Sequence, residues 1–404
     1  MKKILTAILS IVGGWKKLIR KLKGKSEDDV YAERIVSGRS WEEFCDTIKA
    51  AGNSLYIGNT PKDPFNQAEG VRYLSRLTRV ALNAFVENND PKFPSFQRMV
   101  NETVKMGADN PDNYYLNAQI SGDYEYRISG KRNDIHFLGF FTKNGNYGTT
   151  GGLAPCGVLD SNNMTLNEDG TFEVILSKEK RGQNWLKIED GTSLLMVRQT
   201  FLDKMKETPA ELEIERIGSE PYPENVSPKS IDEGLNTAGM FVAGATALFS
   251  KWANDFQKHS NRLVMFDPEV SNAAGGEENI IYYHSHWKLA DDEVLYIETE
   301  IPECQSWNFQ VNNYWMESLD YRYHDVCINK ASANVDPDGK VRVIVAHKNA
   351  GWQNCLVTAG HNEGTMCWRW NRPAGDVMNE ISAKVLKAAE VDDLLSSVKH
   401  KVSV

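Results

Sequence analysis

The sequence predicts an α+β protein, mainly β, with two tandem β domains that arose by internal duplication. Three observations support this prediction: a strand-turn-strand unit occurs twice, a helical period lies between the copies, and the N-terminal region is rich in helical patterns. At 404 residues the chain is long enough for two or three domains. We therefore expect an N-terminal helical region, two β domains and a crossover helix between them.

The repeated unit begins at Asp169-Gly170 in the first copy and at Asp338-Gly339 in the second, an offset of 169. The offset grows to 170 at Asn184 and Asn354, after a one-residue insertion, and to 171 at Arg198 and Arg369 near the end of each copy. In both copies Asp-Gly supplies the positive-φ turn of a tight hairpin, and the following residues place apolar side chains on one face of a strand. A chance match is the alternative, because any β protein contains several Asp-Gly hairpins.

The first 25 residues predict a basic amphipathic helix that lies in a membrane interface. Ile4, Ile8, Ile11, Trp15, Leu18 and Leu22 recur at spacings of four and three. A secretory signal, a membrane span and a partner-binding helix are the alternatives, but no small-residue cleavage site follows and the apolar run is shorter than the ~20 residues of a span. The predicted interface residues are Trp15, Lys16, Lys17, Arg20 and Lys21. We expect a cytoplasmic, peripherally membrane-associated protein, with export as the alternative.

The remainder of the chain is acidic. The formal net charge is −9, and residues 1–25 hold eight of the 46 Lys and Arg residues and no acid. Removing those eight leaves 38 basic against 55 acidic residues. Because nucleic-acid binding requires basic surface on the folded part, no nucleic-acid partner is expected.

The order of patterns along the chain predicts six segments. Helical signals precede residue 110, strands follow, the helical period returns between Ser230 and His259, and strands resume after it. The predicted segments are a membrane-interface helix (1–25), a helical region (26–110), a first β-sandwich (111–225), a connecting helix (226–260), a second β-sandwich (261–375) and a C-terminal helix (376–404).

Two histidines form the candidate metal site. His284 and His286 are two residues apart on a predicted strand, so both rings point to the same face. Such a pair begins the metal sites of some β-barrels, but no third ligand follows at the required spacing, and a structural pair is the alternative. The six cysteines show no C-x-x-C spacing. No cofactor is therefore predicted.

Tryptophans concentrate in the second copy, where six of the ten occur between residues 287 and 370. Such residues fill large sandwich cores, and they also line pockets for flat or hydrophobic ligands. Polar residues nearby could anchor the polar head of a ligand. The candidate ligand-binding residues are Trp307, Trp315, Tyr321, Arg322, Asn329, His347 and Arg369.

The same stretch resembles a known family. Trp307–Val311, Tyr314–Arg322, Ile328–Lys330, the Asp-Pro-Asp-Gly turn at 336–339 and Val343–His347 are similar to bacterial proteins that carry the domain of unknown function 1214. The resemblance covers about 80 residues here and, more weakly, the first copy. It implies tandem β-sandwich domains of jelly-roll type, and it transfers no catalytic residue.

Together these patterns predict a membrane-surface protein with an aromatic-lined pocket. We expect it to bind a hydrophobic small molecule such as an isoprenoid, steroid or lipid, with or without transforming it. The alternatives are a non-catalytic carbohydrate- or protein-interaction module, in which exposed tryptophans stack on the partner, and a metal-dependent enzyme that uses the His-x-His pair.

Overall fold

The computed structural model describes residues 26–148, 150, 152–218 and 220–402. Within these residues the fold is α+β, mainly β, with helices at the N-terminal end and several antiparallel sheets. The predicted interface helix, including Trp15, Lys16, Lys17, Arg20 and Lys21, lies outside the described residues. No helix in the described part is both long and apolar enough to cross a membrane.

Three N-terminal helices pack against one long helix that lies later in the chain. The α-helices of the described residues are α1 (Glu27–Val36), α2 (Arg39–Ala51), α3 (Pro64–Leu82), α4 (Pro228–Phe256), α5 (Pro268–Ala273) and α6 (Val391–Val402). The hydroxyl of Ser227 caps α4 by accepting a hydrogen bond from the backbone N–H of Ser230 at 3.0 Å. Gly239 of α4 allows α2 to approach, because a Cβ atom there would lie 3.1 Å from Thr47 Cγ2. One apolar core therefore joins α2, α3 and α4.

The first β half contains two four-stranded sheets. Its strands are β1 (Asn113–Gln119), β2 (Tyr126–Lys131), β3 (Phe137–Asn144), β4 (Ala154–Asp160), β5 (Thr171–Ser177), β6 (Trp185–Lys187), β7 (Thr192–Thr200) and β8 (Glu211–Arg216). The strand orders are β1-β7-β3-β4 and β6-β5-β2-β8. Both sheets contribute to one core, in which Phe172, Val174 and Leu176 of β5 meet Phe140 of β3.

The second β half follows α4 and contains a four-stranded and a five-stranded sheet. Its strands are β9 (Leu263–Val264), β10 (Ile280–Lys288), β11 (Glu293–Glu300), β12 (Cys304–Val311), β13 (Cys327–Asn329), β14 (Lys340–Ala346), β15 (Cys355–Val357), β16 (Glu363–Pro373) and β17 (Glu380–Lys387). The strand orders are β10-β16-β12-β13 and β15-β14-β11-β17-β9. Val341, Val343 and Val345 of β14 lie in the core of this half.

The strand orders of the two halves correspond. Each of β1–β8 has a counterpart nine strand numbers later, so that β1-β7-β3-β4 matches β10-β16-β12-β13 and β6-β5-β2-β8 matches β15-β14-β11-β17. The pairs β5·β6 and β14·β15 are both parallel. Gly170 and Gly339 precede β5 and β14 with φ of +80° and +79°, the positive φ that their Asp-Gly turns require.

Two sequence predictions about the segments are wrong. Residues 376–404 do not form one helix, because Glu380–Lys387 is strand β17, which pairs with β11, and α6 begins only at Val391. The predicted helical region also ends before residue 110. Helical structure stops at Glu87, and Gln97 instead pairs with Asn117 of β1 through two backbone hydrogen bonds of 2.7 and 2.8 Å. In both places, pairing with a distant strand overrides the local pattern.

Candidate functional site

A cavity of about 390 Å³ lies where the two β halves, α4 and the segment before β1 meet. This volume is within the roughly 300–1,000 Å³ typical of small-molecule sites. Much of its wall is apolar. The aromatic and aliphatic side chains that line it include Phe85, Met99, Met106, Phe241, Phe249 and Trp252.

The polar part of the wall comes from two equivalent strand pairs. Tyr115 of β1 lies opposite Arg198 of β7, and Tyr282 of β10 lies opposite Arg369 of β16. Opposite residues in an antiparallel pair project from the same face of a sheet. All four residues line the cavity. Each β half therefore contributes one tyrosine and one arginine to the site.

Arg198 is an arginine with a buried counter-ion. Its Nη1 lies 2.9 Å from Glu277 Oε2, and the Glu277 side chain is 3% exposed. Its Nη2 donates to the carbonyl oxygen of Gly275 at 2.7 Å. The Nε of Arg198 and the Oε1 of Glu277 are buried without a hydrogen-bond partner among the described residues. The charge of Arg198 is thus neutralised, although its hydrogen-bonding capacity is not filled.

Arg369 differs because its hydrogen-bond partners are neutral. The residue is 6% exposed. Its Nη1 donates to Gln310 Oε1 at 2.6 Å and more weakly to Asn308 Oδ1 at 3.4 Å, and its Nη2 donates to the carbonyl oxygen of Ala108. No carboxylate in the part of the chain that the structure describes lies within salt-bridge distance of it. A buried positive charge therefore remains beside the cavity.

The two tyrosine hydroxyls use their oxygens as acceptors. Tyr115 accepts from the backbone N–H of Asn110 at 2.9 Å and from Asn113 Nδ2 at 3.2 Å. Tyr282 accepts from the backbone N–H of Glu277 at 3.3 Å. Burial raises the pKa of both hydroxyls, to about 12 for Tyr282, so both stay protonated at neutral pH. Neither hydroxyl proton has an acceptor among the described residues.

His284 presents a neutral ring to the same cavity. The side chain is 7% exposed, and its ring stacks between Phe256 at 5.5 Å and Tyr282 at 5.6 Å. Burial, with a smaller effect of Arg369, lowers the pKa of His284 to about 3. Nε2 lies 3.9 Å from Cys367 Sγ, whereas Nδ1 is buried without a partner. This nitrogen is free to bond to a ligand.

Lys143 lies close behind the polar wall. It is opposite Leu194 of β7, a residue that lines the cavity, so both side chains leave the same face of the sheet. The residue is 3% exposed, and its Nζ donates to the carbonyl oxygen of Gly276 at 3.3 Å. Burial and, to a smaller extent, the neighbouring Arg198 together lower the pKa of this amine to about 8.

The structure places the predicted aromatic residues in cores and turns. Trp307 is 2% exposed and stacks on Trp368 at 5.1 Å inside the second β half. Trp315 is fully buried beneath α3, where its Nε1 donates to the carbonyl oxygen of Asn66 at 3.0 Å. Tyr321 lies against the Nζ of Lys105, 4.4 Å from its ring centroid. None of these three side chains lines the 390 Å³ cavity.

The predicted polar residues do not converge on one place. Only Arg369 lines the cavity. Arg322 pairs with its neighbour Asp320 at 2.7 Å, and Asn329 Nδ2 donates to Asp112 Oδ1 at 3.0 Å. The ring nitrogens of His347 lie 2.9 Å from Thr358 Oγ1 and 3.1 Å from the carbonyl oxygen of Ala290. The hydrogen-bond partners of these three side chains do not line the cavity.

The two candidate metal ligands have different surroundings. His284 lines the cavity, whereas the ring nitrogens of His286 lie 2.8 Å from Ser260 Oγ and 3.3 Å from Glu363 Oε2. The described residues contain no group of three or more His, Cys, Asp or Glu residues that could hold a metal ion. The pair thus shares a strand face, as the spacing predicts, without a third ligand.

Sequence reasoning did not select Tyr115, Arg198 or Tyr282 as site residues. A signal for the arginines was present in the sequence, because Arg198 and Arg369 each lie in a largely apolar stretch and are related by the 171-residue offset. A charged residue among core residues of a strand is rarely buried unless it has a partner, so such a residue indicates a buried polar site. The tyrosines carry no such signal, since tyrosine is common in strands.

The fold and the cavity define a mainly β protein with paired sheets in each half and an internal site of small-molecule size. One crystal structure, of an uncharacterized protein from Burkholderia cenocepacia, is 45% identical in sequence, covers 89% of this chain and 99% of that chain, and gives a TM-score of 0.87. The chain therefore belongs to the same family as that Burkholderia protein.

The other comparisons with known proteins do not identify a function. The VPA0106 protein from Vibrio parahaemolyticus is 11% identical, covers 84% of this chain and 100% of that chain, and gives a TM-score of 0.46, too low to carry an argument. No protein-family model and no curated protein matches the chain. The resemblance to proteins with the domain of unknown function 1214 therefore stays a prediction.

Proposed function

We propose that the protein binds a hydrophobic small molecule, such as an isoprenoid, steroid or lipid, in the cavity between its two β halves. The observation that carries this proposal is the cavity itself, whose 390 Å³ are walled largely by apolar side chains and by a few polar groups. Sites of this kind use apolar walls for affinity and a small number of polar groups for orientation. Binding is the activity that this geometry favours.

A membrane surface is the proposed source of the ligand. The basic amphipathic pattern of residues 1–25 is typical of a helix that lies in the interface of an anionic membrane. A hydrophobic ligand partitions into the bilayer, so an anchored protein meets it at high local concentration. The proposal therefore joins the anchor and the cavity in one function.

The binding proposal is tested by mass spectrometry of the gently purified protein, first under native conditions and then after solvent extraction. We expect a defined hydrophobic compound in the extract. The variant Met196→Trp fills part of the cavity with an indole ring and should lose the compound. Met196→Leu conserves the volume and is the matched control, which should retain it. Equal retention of the compound by Met196→Trp and Met196→Leu would contradict binding in this cavity.

The anchor is tested separately by deleting residues 1–25. At physiological salt the full chain should sediment with vesicles that contain anionic lipid, and the shortened chain should stay in the supernatant. Raising the salt concentration should release the full chain in part, because the basic residues contribute through screened electrostatics. Cosedimentation of the shortened chain at the same level would contradict the anchor.

We also propose that the two β halves are jelly-roll-type sandwiches related by internal duplication. The support is the matching strand order of β1–β8 and β10–β17, together with a separate core in each half. Superposition of Cα atoms of residues 113–216 on residues 280–387 tests the duplication. Failure to align the eight strands in chain order would contradict it.

A further inference from the structure

The charge of Arg369 is the starting point for identifying the ligand. The neutral partners of Arg369 leave its positive charge buried without a counter-ion, which is unfavourable in a protein interior. Other buried arginines of the described chain have counter-ions. Arg198 forms a salt bridge with Glu277. Arg342 forms salt bridges with three carboxylates, those of Glu298, Asp336 and Asp338.

Asp109 is the acidic residue of the cavity wall that influences Arg369, and it has partners of its own. Its carboxylate accepts from the backbone N–H and the hydroxyl of Ser318 at 2.9 and 2.8 Å. The cation with the largest influence on Asp109 is Lys105, whose Nζ is buried beside the Ser318 carbonyl oxygen at 2.7 Å. Arg198 forms a salt bridge with Glu277, whereas no carboxylate of the described residues forms one with Arg369.

The hydrogen-bond donors of the site point to an oxyanion. Tyr115 and Tyr282 each have a hydroxyl proton without an acceptor in the described chain, and each phenol has only that one proton to donate. Burial raises the pKa of each hydroxyl, and both Arg198 and Arg369 oppose that rise. The guanidinium carbon of Arg369 lies 5.7 Å from the centroid of the Tyr282 ring, and all four side chains line the same cavity.

His284 supplies a second, independent sign of a missing ligand. Its Nδ1 is a buried polar atom without a partner in a side chain that is 7% exposed and that lines the cavity. Buried polar atoms are nearly always hydrogen-bonded in native structures. A ligand group that reaches the two tyrosines and Arg369 would meet this nitrogen as well, since the ring stacks on Tyr282 at 5.6 Å.

We propose that the ligand is an amphipathic carboxylic acid, and that its carboxylate binds Arg369 with hydrogen bonds from Tyr282 and Tyr115. One negative charge balances the positive charge of Arg369, and a planar carboxylate matches the paired N–H groups of a guanidinium. The apolar body of the acid then lies along Phe241, Phe249 and the rest of the apolar wall. This inference rests on the proposed binding of a hydrophobic molecule in the cavity.

The test compares three probes of the same chain length by isothermal titration calorimetry: decanoate, decan-1-ol and decyl phosphate. The full-length protein is stripped of bound compounds before titration. We expect decanoate to bind at least ten-fold more tightly than decan-1-ol, because a charge-assisted hydrogen bond is about twice as strong as a neutral one. Decyl phosphate, with its extra charge at neutral pH, should bind more weakly than decanoate.

Variants then assign the effect to residues. Arg369→Met should weaken decanoate binding by about 100-fold and change decan-1-ol binding by less than about two-fold. Tyr282→Phe removes only a hydroxyl and should weaken decanoate binding by about ten-fold. Tyr283→Phe is the matched control, because Tyr283 is on the same strand with its side chain in the core of the second half and its hydroxyl donating to Met378.

The outcomes separate the two proposals. Equal affinities for decanoate and decan-1-ol would overturn the carboxylate and leave the hydrophobic cavity standing. Tighter binding of decyl phosphate would overturn the charge count. Absence of binding for all three probes would overturn both proposals. If circular dichroism shows that Arg369→Met is unfolded, Tyr282→Phe decides the question, and unchanged decanoate affinity in that variant would contradict the site.

Discussion

His284 should make the protein lose stability in mild acid. Burial lowers its pKa to about 3 in the folded chain, with Arg369 adding to the shift, whereas an unfolded histidine titrates near 6.5. Below pH 6.5 the unfolded chain therefore binds more protons at this residue than the native chain. The stability that depends on a neutral His284 is present above pH 6.5 and is lost as the pH falls toward 3.

The magnitude follows from these two pKa values. The loss approaches 1.36 kcal/mol for each pH unit, and between pH 6.5 and pH 5 it amounts to about 2 kcal/mol of unfolding free energy for this residue alone. The residue is 7% exposed, so solvent screening reduces the effect little. Urea unfolding of the wild type and of His284→Phe at a series of pH values between 7.5 and 5 measures it.

The difference between the two proteins isolates His284. Burial also lowers the pKa of His136, and burial raises the pKa of Asp112 to about 6, so these residues change stability in opposite directions over the same pH range. Both effects are common to the wild type and the variant, and they cancel in the difference. His284→Leu, with a different shape, must give the same change with pH. A difference that stays constant within about 0.5 kcal/mol from pH 6.5 to 5 would refute the reasoning.

Three further predictions concern stability and are checked by urea unfolding. Trp307→Ala should cost about 3–5 kcal/mol because the ring fills the core of the second half, and a loss below about 1 kcal/mol would argue against that packing. Gly70→Ala should cost ~1–3 kcal/mol because the new Cβ would lie 2.7 Å from the Trp315 ring, whereas the control Gly52→Ala, with 3.6 Å to its nearest neighbour, should be near neutral. Arg342→Met should cost about 3 kcal/mol because three carboxylates lose their common partner; an unchanged midpoint would contradict this.

The turns and strands that the sequence predicts from local patterns are present in the structure. Asp169-Gly170 and Asp338-Gly339 form turns before β5 and β14, and the apolar residues that follow them lie in two separate cores. Turn chemistry and strand alternation act over a few residues, so the sequence carries them directly. The helix Pro228–Phe256 could be predicted for the same reason, since apolar residues recur at helical spacing along its 29 residues.

The C-terminal segment shows where such reasoning fails. Ile381 and Val385 are four residues apart, which fits a helix, but Glu380–Lys387 pairs with β11 across a separation of about 90 residues. Once a sheet presents an unpaired edge, backbone hydrogen bonds along that edge outweigh a weak helical period. The local sequence of residues 380–387 does not reveal that a distant strand is available for pairing.

The ligand-binding residues predicted from the sequence do not come together in the structure, for a related reason. Tryptophans at 307 and 315 suggested a pocket by their number, but their positions place them inside cores. The cavity instead combines Tyr115, Arg198 and Arg369 from strands far apart in the chain. Which residue lies opposite which follows from strand register, and register depends on the whole sheet.

The sequence by itself determined the mainly β class of the fold, the two Asp-Gly turns with the strands that follow them, and the positions of Arg198 and Arg369 in apolar stretches. These features follow from interactions between residues close in the chain. Only the tertiary structure decided that both arginines face one cavity, that Glu277 neutralises one of them, and that the other keeps its charge. Burial and charge balance depend on contacts between distant segments, and such contacts exist only after the chain has folded.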